Sequence, residues 1–170
     1  NRGEIAIRVF RACTELGAKT VAVYSAEDRF SLHRYKADEA YQVGLPGSPV
    51  KSYLDVEEII AVALHAQCDA IHPGYGFLSE RAELVAAAEK AGICCITPSE
   101  ETLTIAGDKV QTRALAERCG VPVIPGATIA ATDIRRCSEQ AAALGFPVMV
   151  KASFGGGGRG DRRPARVLLL

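Results

Sequence analysis

Short apolar runs alternate with helical stretches, and that alternation restricts residues 1–98 to one class of fold. Thr20-Val-Ala-Val-Tyr24, Ala70-Ile-His72 and Ile93-Cys-Cys-Ile96 have the length and flanking breakers of buried strands. Between them lie helical patterns. Ile5, Val9, Ala12, Cys13 and Leu16 share one helical face, with Gly17 as a stop. Asp55 is placed to cap a helix to about Gln67, whose apolar stripe is Val56, Ile59, Ile60, Ala63 and Leu64. Ser79 is expected to cap the next helix, which runs to Gly92. Strands joined through helices run parallel by right-handed crossovers. The expected class is therefore α/β, a doubly wound parallel-sheet domain.

A second unit is expected over residues 99–160. Two short helices open it, the second over about Lys109–Cys119, and the Gly120–Gly126 connection follows. A helix over about Ile134–Leu144 then leads to a strand at Pro147-Val-Met-Val-Lys-Ala152. Residues 161–170, Asp-Arg-Arg-Pro-Ala-Arg-Val-Leu-Leu-Leu, have neither strand alternation nor a helical pattern and read as an aberrant tail.

Composition excludes several classes of function. Twenty basic and twenty acidic side chains cancel, so no overall field recruits nucleic acid or an anionic membrane. No apolar run approaches the roughly 20 residues that span a bilayer. The six cysteines are scattered without a C-x-x-C pair, and no second ligand pair accompanies His65 and Cys68, so no metal site is expected. Reduced thiols packed as small apolar groups, as in Gly-Ile-Cys-Cys-Ile, imply a reducing compartment. That means the cytoplasm, or the mitochondrial matrix in a eukaryote.

The chemistry is concentrated in Gly155-Gly-Gly-Gly-Arg-Gly160, five glycines in six residues. Such a backbone takes positive φ freely and lets successive N–H groups converge on the oxygens of a polyphosphate. Lys151 at the preceding strand end supplies a point charge to the same phosphates, and Arg159 adds a planar donor. A flexible hinge also uses glycine runs, but an apolar strand ending in lysine and an arginine inside the run favour phosphate binding. The G-x-G-x-x-G match at Gly155, Gly157 and Gly160 lacks the helix and the acidic residue of a dinucleotide site, and Gly-Lys-Ser/Thr is absent.

Six segments in this order and spacing resemble the biotin carboxylases: Asn1-Arg-Gly-Glu-Ile-Ala-Ile-Arg8, Ala37-Asp-Glu-Ala40, His72-Pro-Gly-Tyr-Gly-Phe-Leu-Ser-Glu80, Gly107-Asp-Lys109, Gly120-Val-Pro122 and Lys151–Gly160. The resemblance covers about residues 1–160. It implies a pre-ATP-grasp domain followed by the start of an ATP-grasp domain with a glycine-rich lid. The implied reaction uses ATP, Mg²⁺ and bicarbonate to form carboxyphosphate, which carboxylates biotin on a carrier domain. Ser31–Gly44, with His33-Arg-Tyr-Lys-Ala-Asp-Glu-Ala-Tyr41, is similar to the pyruvate carboxylases, whereas acyl-CoA carboxylases usually lack its basic pair and the Tyr41 counterpart. An acyl-CoA carboxylase subunit and a non-catalytic nucleotide-binding module are the alternatives, and a dinucleotide oxidoreductase a distant third.

By position, the resemblance gives Lys109 and Lys151 to the ATP phosphates, and Gly155, Gly156, Gly157, Gly158 and Arg159 to the lid. It places His72, Tyr75 and Glu80 in a loop beside the active site, and Arg8 and Arg11 on a surface that some members use to dimerise. Plainer roles stand beside these: Lys109 as an exposed helix-start cation, His72 as a satisfied structural group, Arg8 and Arg11 as a solvated helix face. The resemblance departs after Gly160, where the family continues with Met-Arg and a strand. A truncated or frame-shifted product without the family's metal-binding and catalytic glutamates is expected. Such a chain is expected to carry no catalytic residues of its own and not to turn over. In an intact relative, Lys151→Gln is expected to weaken ATP binding by about one to two decades, the cost of a lost charge-assisted bond. Calorimetric titration with ATP measures this, and unchanged affinity removes Lys151 from the phosphates.

Overall fold

The structure is a computed structural model that describes residues 2–128 and 134–150. The chain divides into two units, Asn1–Thr104 and Ile105–Leu170.

In the first unit, helix α1 (Gly3–Glu15) leads to strand β1 (Val21–Tyr24). A 3-10 turn at Ala26–Asp28 and the short helix α2 (Leu32–Lys36) return the chain to β2 (Glu39–Gln42). The strands pair in parallel, with Val21 opposite Glu39 and Tyr24 opposite Gln42. After α3 (Pro49–Ser52), Asp55 caps α4 (Val56–His65) by accepting the Glu58 N–H at 3.0 Å. Strand β3 (Ala70–Ile71) crosses through α5 (Ala82–Lys90) to β4 (Cys94–Cys95), again in parallel. Both pairs are parallel with a helix between their strands, as expected, and the described strands form two separate two-stranded sheets. Ala63, Ala88 and Ile93 form a buried cluster, with Ile60, Cys68, Ile71 and Cys95 packed against it.

Two local expectations need correction, and one strand carried no signal of its own. Ser79 caps no helix: it lies inside a 3-10 turn, Phe77–Glu80, and α5 starts only at Ala82 with Arg81 before it. The turn takes up Ser79 and Glu80, so the helix begins later than a Ser79 cap would place it. Strand β2 follows a segment whose mixture of charges gives no apolar run, and its half-buried or exposed residues become a strand by pairing with β1. Cys94 is exposed, because neighbouring strand residues face opposite ways and only Cys95 turns to the core.

The segment before β2 carries a fully enclosed polar group. His33 is fully buried at 0% exposure. Its Nε2 meets the Val23 carbonyl at 3.2 Å, while its Nδ1 has no hydrogen-bond partner. Desolvation lowers the His33 pKa, and the Val23 carbonyl and the Asp28 charge only partly oppose it.

In the second unit, α6 (Glu100–Gly107) runs across the division and α7 (Lys109–Arg118) follows. Asp108 caps α7 by accepting the Val110 and Gln111 N–H groups at 2.8 and 3.3 Å. Helix α8 occupies Ile134–Leu144, as expected. Of the strand expected at Pro147–Ala152, the described part shows only a single bridge residue, Val150, and residues 151–152 lie outside the described residues.

The His33 environment generates a pH prediction with a definite sign. A histidine whose folded-state pKa is depressed takes up its proton more readily when unfolded. Its contribution is present above the unfolded value of about 6.5 and is lost as pH falls through that value toward the folded pKa. The Asp28 and Asp38 pKa values are also lowered, from an ordinary 3.8, so their contributions are lost only at lower pH. Urea midpoints measured from pH 7.5 to 5 are expected to fall for the native chain and to fall less for His33→Gln. Equal slopes would remove His33 as the cause.

Candidate functional site

The loop from His72 to Glu80 leaves strand β3 and holds three of the expected site residues. Pro73 and Leu78 are buried and fix the two ends of this loop, while His72, Tyr75 and Glu80 are exposed. The Gly74 N–H donates to His72 Nδ1 at 3.0 Å, closing a tight turn. Gly76 has φ 64° and ψ −171°, a region that is essentially open to glycine alone. Phe77 follows with φ 50°, and its ring packs against Tyr53, with ring centroids 6.1 Å apart. Tyr75 is 70% exposed and shares an open depression with Arg2, Ile5, Gly76 and Phe77. The loop thus brings His72 and Tyr75 onto one turn, with Glu80 at the end of the 3-10 segment.

Beneath the loop lies a cavity of about 130 Å³. Its walls include Ile5, Val9, Ala22, Ile71, His72 and Leu84, so both β1 and β3 border it. This lining is mainly aliphatic. It offers no cluster of cations for a polyphosphate.

A polar cluster that residue patterns did not single out supports the same region. Tyr53 Oη accepts the Ser25 N–H at 3.0 Å and donates to Asp28 Oδ2 at 2.8 Å. Ser31 donates to Asp28 Oδ1 at 2.8 Å, and Arg2 pairs with Oδ2 at 3.2 Å. Burial acts to raise the Asp28 carboxyl, but the Tyr53 and Ser31 hydrogen bonds and the Arg2 charge outweigh it and hold the pKa below its ordinary value. Burial and the Asp28 bond push the Tyr53 phenol up to about 12. The sequence signal was thin: Arg2, Asp28 and Tyr53 are far apart in the chain, and neither Asp28 nor Tyr53 lies in a segment with a chemical pattern.

The remaining expected residues fall elsewhere. Lys109 is the first residue of α7, beside its N-cap Asp108, in the second unit. Lys151, Gly155, Gly156, Gly157, Gly158 and Arg159 lie outside the described residues. Arg8 and Arg11 are exposed on α1, and Arg11 Nε pairs with Glu15 at 2.9 Å. Among the described residues no group of three His, Cys, Asp or Glu side chains converges to hold a metal ion. No helix is long and apolar enough to cross a membrane, among the described residues.

Residues 1–103 match the family described as "Biotin carboxylase, N-terminal domain", and residues 108–165 match "Carbamoyl-phosphate synthase L chain, ATP binding domain". Bacillus subtilis pyruvate carboxylase is 55% identical over 162 residues, which is 95% of this chain and 14% of that protein. The chain thus spans about one seventh of that relative's length. A structure of Rhizobium etli pyruvate carboxylase with acetyl coenzyme A is 52% identical at a TM-score of 0.89, over 98% of this chain and 15% of the other. The biotin carboxylase domain dimer of Hydrogenobacter thermophilus 2-oxoglutarate carboxylase, in complex with MgADP, ADP and bicarbonate, is 44% identical at a TM-score of 0.90. That match covers 96% of this chain and 36% of the other.

The turn at Gly76 carries a prediction that separates conformation from space. A Cβ there meets nothing within 4 Å, so Gly76→Ala creates no clash. The backbone angles alone are expected to cost about 1–3 kcal/mol. A thermal melt of the variant reads this, and an unchanged midpoint would mean the loop relaxes freely.

Proposed function

The chain belongs to the biotin carboxylase N-terminal domain family, and from that premise we propose that it is the opening part of the biotin carboxylase unit of a pyruvate carboxylase. The observation that carries this reading is the identity to pyruvate carboxylases, which runs through nearly the whole chain. In this reading residues 1–98 form the pre-ATP-grasp domain, 99–160 begin the ATP-grasp domain, and 161–170 are a divergent tail. The unit uses ATP and bicarbonate to form carboxyphosphate, which carboxylates biotin on a carrier domain, and pyruvate accepts the carboxyl group to give oxaloacetate.

The roles of individual residues are part of the proposal. Lys109 and Lys151 neutralise charge on the ATP phosphates, where an ammonium acts as a point charge. Gly155, Gly156, Gly157 and Gly158 supply backbone N–H groups over the same phosphates, and Arg159 a planar donor. Asp108 supports the Lys109 assignment: its carboxylate accepts from the Val110 and Gln111 N–H groups and from the Gln111 side chain at 3.0 Å, which fixes the start of α7. His72, Tyr75 and Glu80 form a rim near the reacting groups. Mg²⁺ would supply charge neutralisation at the phosphates when bound. Arg8 and Arg11 are assigned to a dimer surface, and the compartment to the cytoplasm or the mitochondrial matrix.

In a full-length protein carrying this chain, ATP cleavage is expected to depend on both bicarbonate and biotin. Labelled bicarbonate should appear in oxaloacetate when pyruvate is supplied. Label carried to an acyl-CoA instead would replace the acceptor and leave the ligase step standing. On the 170-residue chain itself, a thermal shift with NAD but none with ATP would overturn the nucleotide assignment.

A further inference from the structure

We infer that His72 is a positioning residue: its ring holds the backbone turn that presents Tyr75, acting as a hydrogen-bond acceptor at Nδ1. The functional consequence rests on the carboxylase reading above, whereas the geometry does not.

The donor in this contact is unambiguous. A backbone N–H can only donate, so the 3.0 Å contact from Gly74 requires Nδ1 to be the unprotonated nitrogen. The neutral ring then carries its hydrogen on Nε2. The bonded amide lies two residues after the histidine, which is the spacing at which an Asn or Asp side chain closes an Asx turn on its own backbone. Imidazole Nδ1 here takes the place of the Asn carbonyl oxygen.

The turn has a reason to need this bond. Upstream it is anchored by the β3–β4 pairing and the buried Pro73, and downstream by buried Leu78 and by Phe77 against Tyr53. Between the anchors the backbone passes through positive φ at Gly74 (75°), Gly76 (64°) and Phe77 (50°). Phe77 is a bulky residue in a region that bulky residues avoid, so something must over-determine the path. The Gly74 N–H bond to His72 Nδ1 is such a constraint. Loss of its acceptor frees the Gly74 N–H and lets Tyr75 leave its position.

The test has a structural arm and a catalytic arm. On the chain itself, ¹⁵N spectra of the ring at neutral pH should show a pyridine-like Nδ1 and a protonated Nε2. The Gly74 amide should exchange about five-fold faster in His72→Ala than in the native chain, the factor for one modest hydrogen bond. In an intact carboxylase with the same His72–Gly76 segment, His72→Ala should lower kcat/KM for biotin carboxylation about five-fold. His72→Asn should recover most of both losses, because Oδ1 can accept the Gly74 N–H, whereas His72→Gln, whose oxygen sits one carbon further out, should not. A ring protonated at Nδ1, or unchanged Gly74 exchange in His72→Ala, would overturn the proposal and needs no activity. If His72→Asn is as impaired as His72→Ala in turnover while Gly74 stays protected, the ring touches substrate and the positioning role is wrong. Failure of the carboxylase reading shows separately, as a native protein without biotin-dependent ATP cleavage.

Discussion

The first unit hangs on a reciprocal clip between Thr20 and Asp38. The Asp38 carboxylate accepts the Thr20 N–H and the Thr20 hydroxyl, each at 2.7 Å. The Thr20 hydroxyl oxygen in turn accepts the Asp38 N–H at 3.0 Å, and the Thr20 carbonyl accepts the Asp38 and Glu39 N–H groups. These bonds lie immediately before β1 and β2, so they set which residue faces which. A parallel pair slipped by one residue would turn every β2 side chain to the wrong face. The Thr20 bonds hold the Asp38 pKa below its ordinary value, which marks the carboxylate as the form the fold uses.

A second polar hub sits where β1 ends. Asp28 receives Tyr53, Ser31 and Arg2, and so ties together the start of α1, the turn after β1 and the residue that closes α3. Tyr53 is 3% exposed and satisfies the buried Ser25 N–H, so its hydroxyl serves two neighbours at once. The same Tyr53 ring backs Phe77, which carries the strained end of the His72–Glu80 loop. The exposed loop is thereby rigid at its base. A site built on loops needs a stiff support of this kind if its side chains are to hold their places.

The helices and strands α1, β1, α4, β3 and β4 were legible because each carries its own signal: an apolar stripe, an apolar run or a capping Asp55. Strand β2 was not, since Glu39, Ala40, Tyr41 and Gln42 have no apolar pattern and become a strand only beside β1. The Phe77–Glu80 turn was missed for a related reason. Its Phe-Leu-Ser-Glu composition suits a helix start, but the positive φ at Gly76 and Phe77 directs the chain away first. The cysteines at 94 and 95 looked alike in a short apolar run, and the pleat separated them.

The sequence by itself determined the alternation of strands and helices, the helix cap at Asp55, and the run of segments that ties the chain to the biotin carboxylases. These are short-range properties, carried by periodicity and by residues near one another along the chain. Only the tertiary structure decided that Asp38 clips β1 to β2, that Asp28 gathers Arg2 and Tyr53, and that His33 is buried with one nitrogen unbonded. The physical reason is that hydrogen bonding and desolvation depend on which groups meet in space. Between Asp28 and Tyr53 that meeting spans a separation of 25 residues, farther than any local pattern reaches.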